Sequence, residues 1–192
     1  MPNTISNRFE GKVALIAGGA HAIETSLMGF AGLAALEIAR GGGKIMIGDI
    51  DDIAGKQSVK NMREAGLTAD YSHLDVTSES DWISVVEKTS SLHGHLDIMI
   101  MAAGINNRGE TIETVTVPKW RQVMDVTNLG MFLGVRSVAP KMRENGGGSI
   151  VLISSMMAKI THNQANAYAT SRAGMTHFAR SAAVQYLSLI HI

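Results

Sequence analysis

The sequence predicts an α/β fold: a doubly wound parallel sheet with helices on both faces. Three observations carry that expectation. Short apolar runs enriched in β-branched residues alternate with stretches of helical periodicity, which is the rhythm of parallel strands joined by right-handed helical crossovers. Small residues follow two of those runs, as Gly18-Gly19-Ala20 and Ala102-Ala103-Gly104, at the strand ends where such sheets take up ligands. The second run closes on an acid, Asp49.

Lys12–Ala17, bounded by Gly11 and Gly18, reads as a strand buried on both faces. Gly18, Gly19 and Ala20 let backbone N–H groups approach a phosphate at a helix start, where the dipole also favours negative charge. That helix is expected over His21–Arg40, with Leu27, Phe30, Ala31, Ala34 and Ile38 inward and Gly41-Gly42-Gly43 ending it. Lys44–Gly48 is a second strand. Asp49 beyond it is either a turn acid or a ligand for both hydroxyls of an adenosine ribose, which would favour NAD over NADP by repelling a 2′-phosphate. Asp51 and Asp52 are the expected caps of a helix running to about Glu64.

Tyr71–Leu74 forms a third strand leading to Asp75-Val76-Thr77, and Ser78 with Asp81 resembles a capping box for a helix that buries Trp82, Val85 and Val86. Asp97–Met101 is the fourth strand. Pro118 to about Glu144 reads as one long helical region with Trp120, Val123, Met124, Phe132 and Val135 inward. Ser149–Ile153 is the fifth strand, followed by a loop at Ser154-Ser155 and a helix over Asn166–Tyr186. The twelve methionines spread over these apolar faces read as core filler.

With 192 residues and 45% hydrophobic content the chain is long enough for one well-buried domain and short for two. Zero formal net charge argues against nucleic acid or an anionic membrane as partner. The absence of cysteine rules out disulfides and thiolate metal sites and is compatible with a cytoplasmic location. No apolar run reaches membrane-spanning length, and the seven histidines include no metal-binding spacing.

The chemistry concentrates between Gly148 and Arg172. Ser155 lies thirteen residues ahead of Tyr168, and Arg172 follows four residues later. Tyr168 and Arg172 at i and i+4 share one helix face, which sets a fixed cation beside the phenol, where it stabilises a phenolate. The Ser155 hydroxyl, delivered from a strand end, is placed to hold a carbonyl or alcohol oxygen. Taken alone, the same pattern also fits a core tyrosine and a solvated helix charge.

Gly18 after the first strand, Asp49 after the second, Asp75-Val76 after the third, Ala103-Gly104 after the fourth, and Ser155 followed by Tyr168 in YATSR together resemble the short-chain dehydrogenase/reductase family. The resemblance runs from Gly11 to Tyr186 and lies in the order of these motifs, each on the expected element. It implies a Rossmann fold binding NAD or NADP, with Asp75 and Val76 near the adenine, Ala103 and Gly104 beside the cofactor, Tyr168 as general acid/base and Ser155 as the substrate-positioning hydroxyl. It further implies hydride transfer at an alcohol or ketone carbon. The long helices 120–144 and 166–186 would pair in a homodimer or homotetramer.

Four departures stand out. The family's TGxxxGxG reads AGGAHAIE here, with Ala17 for threonine and Ala22 and Glu24 for glycines. The segment before Asp49 is about seven residues longer than the family's. Either His21–Met28 is an insertion over the phosphate loop and Gly29, Phe30 and Ala31 complete the motif, or two helical turns are added and Glu24 lies near a pyrophosphate. The family's lysine is Arg172, which keeps the charge in a larger, planar fork. Aligned on Gly130-Met131-Phe132, the family's asparagine falls at Thr127 with Asn128 one residue late; since one helical step turns a side chain by ~100°, Asn128 can act only if the helix is locally shifted.

The expected organisation is a 1–10 extension, an 11–186 nucleotide-binding domain lacking the family's last strands, and a 187–192 tail. The tail, LSLIHI, has no helix-stop or strand pattern and reads as non-native sequence, which leaves the fifth strand (Val151, Leu152, Ile153) as an apolar sheet edge. The leading function is an NAD-dependent enzyme interconverting a secondary alcohol and a ketone. The alternatives are a non-catalytic nucleotide-binding protein and an inactive gene fragment. The loop Ile105–Val117 and residues Met156 to Asn166 are the expected walls of the substrate pocket.

Overall fold

The structure is a computed structural model, and it describes residues 7–21, 29–160, 163–187 and 189–192. A parallel sheet runs in the order β3-β2-β1-β4-β5-β6. Its strands are β1 (Val13–Ala17), β2 (Lys44–Asp49), β3 (Ala69–His73), β4 (Ile98–Met101), β5 (Gly148–Leu152) and β6 (Ile190–His191). The helices are α1 (Phe30–Arg40), α2 (Asp52–Glu64), α3 (Glu79–His93), α4 (Val117–Met124), α5 (Gly130–Glu144) and α6 (Asn166–Gln185).

Strand β1 is central and every residue of it is buried, which is why KVALIA carries no polar alternation. Its side chains still divide by the strand period. Leu15 and Ala17 join Met46, Trp82, Met99, Val138 and Met175 on the face covered by α3, α5 and α6, whereas Ala14 and Ile16 join Ala35, Ile45, Ile47, Val59 and Met62 on the face covered by α1 and α2. The side of the connections changes between β1 and β4, and that switch point is where ligands of such sheets sit.

Several sequence expectations need correction. The first helix does not run from His21: it starts at Phe30, with Gly29 as an extended N-cap at φ −69° and ψ 166°. Residues 22–28, including Ala22 and Glu24, lie outside the described residues. Phe30 and Phe132 do not face the core but are 80% and 43% exposed. Asp51 caps α2 by accepting from the N–H groups of Ile53 and Ala54, but Asp52 sits inside the helix. Ser78 accepts the Asp81 N–H as expected; the return bond of a capping box is absent, because Asp81 accepts from the Asp75 N–H at 3.0 Å instead.

The long helical region is interrupted. Asp125–Leu129 between α4 and α5 forms a π-turn, in which hydrogen bonds skip one residue further than in an α-helix. The tail is also more ordered than its sequence suggested. Ile190 is 3% exposed and pairs with Gly148, and His191 pairs with Ser149. Two of the five β5 residues are thereby paired, while Val151 stays 41% exposed.

Candidate active site and cofactor cleft

At the C-terminal ends of β1, β2 and β4 lies a cavity of about 370 Å³, lined by Gly18, Asp49, Asp75, Val76, Ala103 and Gly104 together with Ile50 and Gln122. Six of the residues expected to hold a cofactor are thus brought together. Gly18 adopts φ +84°, and a Cβ there would lie 2.6 Å from the Ala103 nitrogen, so only glycine lets the two strand ends approach. Val76 is held by Trp82, whose buried indole N–H donates to the Val76 carbonyl at 2.9 Å, and by Gly130, where any Cβ would press on its side chain.

Asp49 is half-buried and already bonded. Its carboxylate accepts from the N–H groups of Ala20 at 2.9 Å and Asp51 at 3.1 Å. The Ala20 N–H therefore faces the acid, and the Ala20 carbonyl accepts from the Ser58 hydroxyl. Tyr71 buttresses the same corner, donating to the Asp49 carbonyl and to Asp52. Hydrogen bonds from Tyr71 and then His73 hold the Asp52 carboxyl down to about 2. Gly19, Ala20 and Gly29 do not line the cavity. Gly29 has open space where a Cβ would be, at the N-terminus of an eleven-residue helix with no acid in its first turn, an environment that favours an anion.

A second cavity of about 460 Å³ is lined by Ser155 and Tyr168 with Asn106, Arg108, Met156, Met157 and Gln164. Both expected reactive hydroxyls face it, and its walls come from the two segments expected to form a substrate pocket. Ser155 opens a short 3₁₀ turn (Met156–Ala158) and accepts the Met157 N–H at 3.2 Å. The neighbouring Ser154 bonds the Arg172 carbonyl and the Thr176 hydroxyl at 3.1 and 2.8 Å, fastening the end of β5 to α6.

Arg172 lies between the linings of the two cavities. It is 5% exposed, its guanidinium carbon stands 5.0 Å from the Tyr168 ring centroid, and Nη1 donates to the Ile153 carbonyl at 2.7 Å. A Cβ on Gly104 would collide with Nη2 at 2.0 Å. The glycine thus makes room for the arginine that replaces a slimmer lysine. Nε is buried and finds no partner among the described residues.

Asn128 sits in the π-turn and donates through Nδ2 to the Ser171 carbonyl at 3.0 Å. Its side chain therefore reaches α6, but it lines neither cavity. Thr127 is fully buried with its hydroxyl unpartnered among the described residues.

Sequence reasoning missed Asn107. Helix α6 has Ala165 at its N-cap and so no side-chain cap of its own. Asn107, 2% exposed, supplies one from the β4–α4 loop by accepting the Tyr168 N–H at 3.1 Å. The signal was the alanine at the N-cap, which left the first-turn N–H groups to be met from elsewhere.

A glycine-formed approach of the β1 and β4 ends and an acid at the end of β2 thus border one cavity, and a serine and a tyrosine border the other. Over residues 12–190 the chain matches the short chain dehydrogenase description, and it belongs to that family. The 3-alpha-(or 20-beta)-hydroxysteroid dehydrogenase of Mycobacterium tuberculosis is 38% identical over 152 residues, which is 79% of this chain and 54% of that protein. The chain spans about half the length of that relative. The 2,5-dichloro-2,5-cyclohexadiene-1,4-diol dehydrogenase of Sphingobium indicum is 30% identical over 183 residues, 95% of this chain and 70% of that one. Among solved structures, a 7-alpha-hydroxysteroid dehydrogenase complexed with NADH and 7-oxo glycochenodeoxycholic acid matches at a TM-score of 0.87 and 27% identity, covering 99% of this chain and 71% of that one. Among the described residues no helix is long and apolar enough to cross a membrane.

Proposed function

We propose that the chain acts as a nicotinamide-dependent dehydrogenase or ketone reductase on a secondary alcohol carried by a ring. The observation that carries this reading is Tyr168, which shares one cavity with Ser155 and has the buried Arg172 cation 5.0 Å from its ring. The relatives named for hydroxysteroids and a cyclohexadienediol support the ring alcohol. A nicotinamide dinucleotide fits the residues present. The 370 Å³ cleft, the acid at the end of β2 and the Arg172 guanidinium against Gly104, with Nε unpartnered among the described residues, offer it walls, a ribose acceptor and a buried donor. When bound, it would supply the hydride acceptor or donor.

The chain's own side chains do the rest. Tyr168 takes the alcohol proton as a general base, and the Arg172 charge offsets the phenolate by Coulomb attraction inside the protein. Ser155 donates to the substrate oxygen and holds it at the phenol. Asn128 and Asn107 keep α6 in place from two sides, through Ser171 and the Tyr168 N–H. Asp49 would accept from the adenosine ribose and favour NAD over NADP. The exposed surface of α5 and α6, where Phe132 and Phe178 meet edge to face, is the proposed contact in a homodimer or homotetramer. The proposed location is the cytoplasm.

Tyr168→Phe is expected to cut turnover by about 10²–10⁴-fold while NADH fluorescence titration gives near wild-type affinity, tighter than for NADPH. Turnover retained in that variant removes the tyrosine from the mechanism. A nucleotide-binding protein without turnover is the second reading, favoured by Arg172, whose Nη1 is engaged by the Ile153 carbonyl. NADH binding without oxidation by any ketone of a panel would select it.

A further inference from the structure

The loop between β4 and α4 brings a permanent charge to the reaction cavity. Arg108 lines it beside Ser155 and Tyr168, and the other lining residues, including Met156, Met157 and Gln164, are uncharged. The backbone on both sides of Arg108 is tied to the segment that leads into α6. Asn107 accepts the Tyr168 N–H, and the Gly109 N–H donates to the Gln164 carbonyl at 3.1 Å. Gly109 holds φ +94°, a conformation that side chains other than glycine adopt at a cost. Glu110 then pairs with Ala165 in a parallel bridge. Arg108 is thus anchored next to the tyrosine by its neighbours while its own side chain is exposed. Among the described residues it has no acidic partner.

A guanidinium left free at a cavity with thioether walls offers a planar fork of donors that matches a carboxylate. We propose that Arg108 is a specificity residue, and that the cavity takes an alcohol or ketone whose apolar ring carries a carboxylate. Arg108 binds the acid while the reacting oxygen lies at Tyr168 and Ser155. The assignment rests on the dehydrogenase reading for the chemistry, though the ionic contact itself needs no turnover. Because Arg108 is exposed, water and salt screen the pair, and the preference is modest in size.

Calorimetry on the 192-residue chain with saturating NAD⁺, which cannot reduce a ketone, compares 4-oxocyclohexanecarboxylate with its methyl ester. The wild type is expected to bind the carboxylate roughly tenfold tighter, Arg108→Gln to bring the two within about twofold, and Arg108→Lys to keep part of the gap. Equal affinities in the wild type, no binding of the carboxylate, or a preference that survives Arg108→Gln overturns the assignment. NADH consumption with the same pair separates the two claims. A binding preference without turnover sinks the dehydrogenase reading alone, whereas equal turnover of acid and ester sinks the role of Arg108 alone.

Discussion

Tyr168 is positioned by residues far from it in sequence. Its ring packs on the Arg172 guanidinium, and its N–H is bonded to Asn107, sixty-one positions earlier. A missing cap acceptor in a buried helix start costs about 1 kcal/mol, but the larger effect is expected in catalysis, since small displacements of an acid/base group are costly to rate. Asn107→Leu removes the acceptor, while Asn107→Asp keeps an oxygen in place. Steady-state kinetics should show the leucine variant losing more kcat than the aspartate variant, with the cofactor KM changing less than kcat in both. Equal losses would reduce Asn107 to a packing residue. Neither Asn107 nor Arg108 stood out in the sequence, because an Asn-Asn-Arg loop has no pattern of its own until its contacts with α6 exist.

The π-turn between α4 and α5 shows how an element changes which way its side chains face. The sequence read as one continuous helix, and the turn at Asp125–Leu129 departs from it where Asn128 sits. Thr127 and Asn128, neighbours in this turn, are not equivalent. Asn128 satisfies the Ser171 carbonyl, whereas the Thr127 hydroxyl is buried without a partner among the described residues. Removing one member of a buried hydrogen bond strands the other, while replacing an unpaired hydroxyl by a methyl is nearly neutral. In urea denaturation Asn128→Ala should lose about 1–3 kcal/mol and Thr127→Val about zero or gain slightly. A loss of comparable size at Thr127 would mean that its hydroxyl has a partner after all.

Across the whole molecule, acid sensitivity is expected at the end of the sheet opposite the clefts. The His93 imidazole is 5% exposed, 3.3 Å from Asp70, and Arg63 bonds the same carboxylate. Burial pushes the His93 pKa below its ordinary 6.5, only partly opposed by Asp70. Above that value neither folded nor unfolded chain holds the proton, and His93 adds no pH dependence. As the pH falls through it, the unfolded chain takes up the proton first, so stability drops until the lowered folded value is passed. Thermal melts should therefore fall in midpoint as the pH is taken from neutral to below 6.5, with a shallower slope for His93→Leu; parallel slopes would assign the sensitivity to other groups.

The sequence by itself determined the parallel sheet with helices on both faces and the small-residue segments at its strand ends, because apolar periodicity and glycine or alanine runs are local signals. Gly18, Asp49, Ala103 and Gly104 stood out at strand ends and Asp75, Val76, Ser155 and Tyr168 through the order of the family motifs, and the structure places them along two neighbouring cavities. Only the tertiary structure decided where α1 begins, how Asn128 reaches α6, that Gly104 accommodates the Arg172 fork, and that Ile190 and His191 pair with the first two residues of β5. Each of these is a contact between segments distant along the chain, fixed by packing and hydrogen-bond satisfaction that no single window of residues contains.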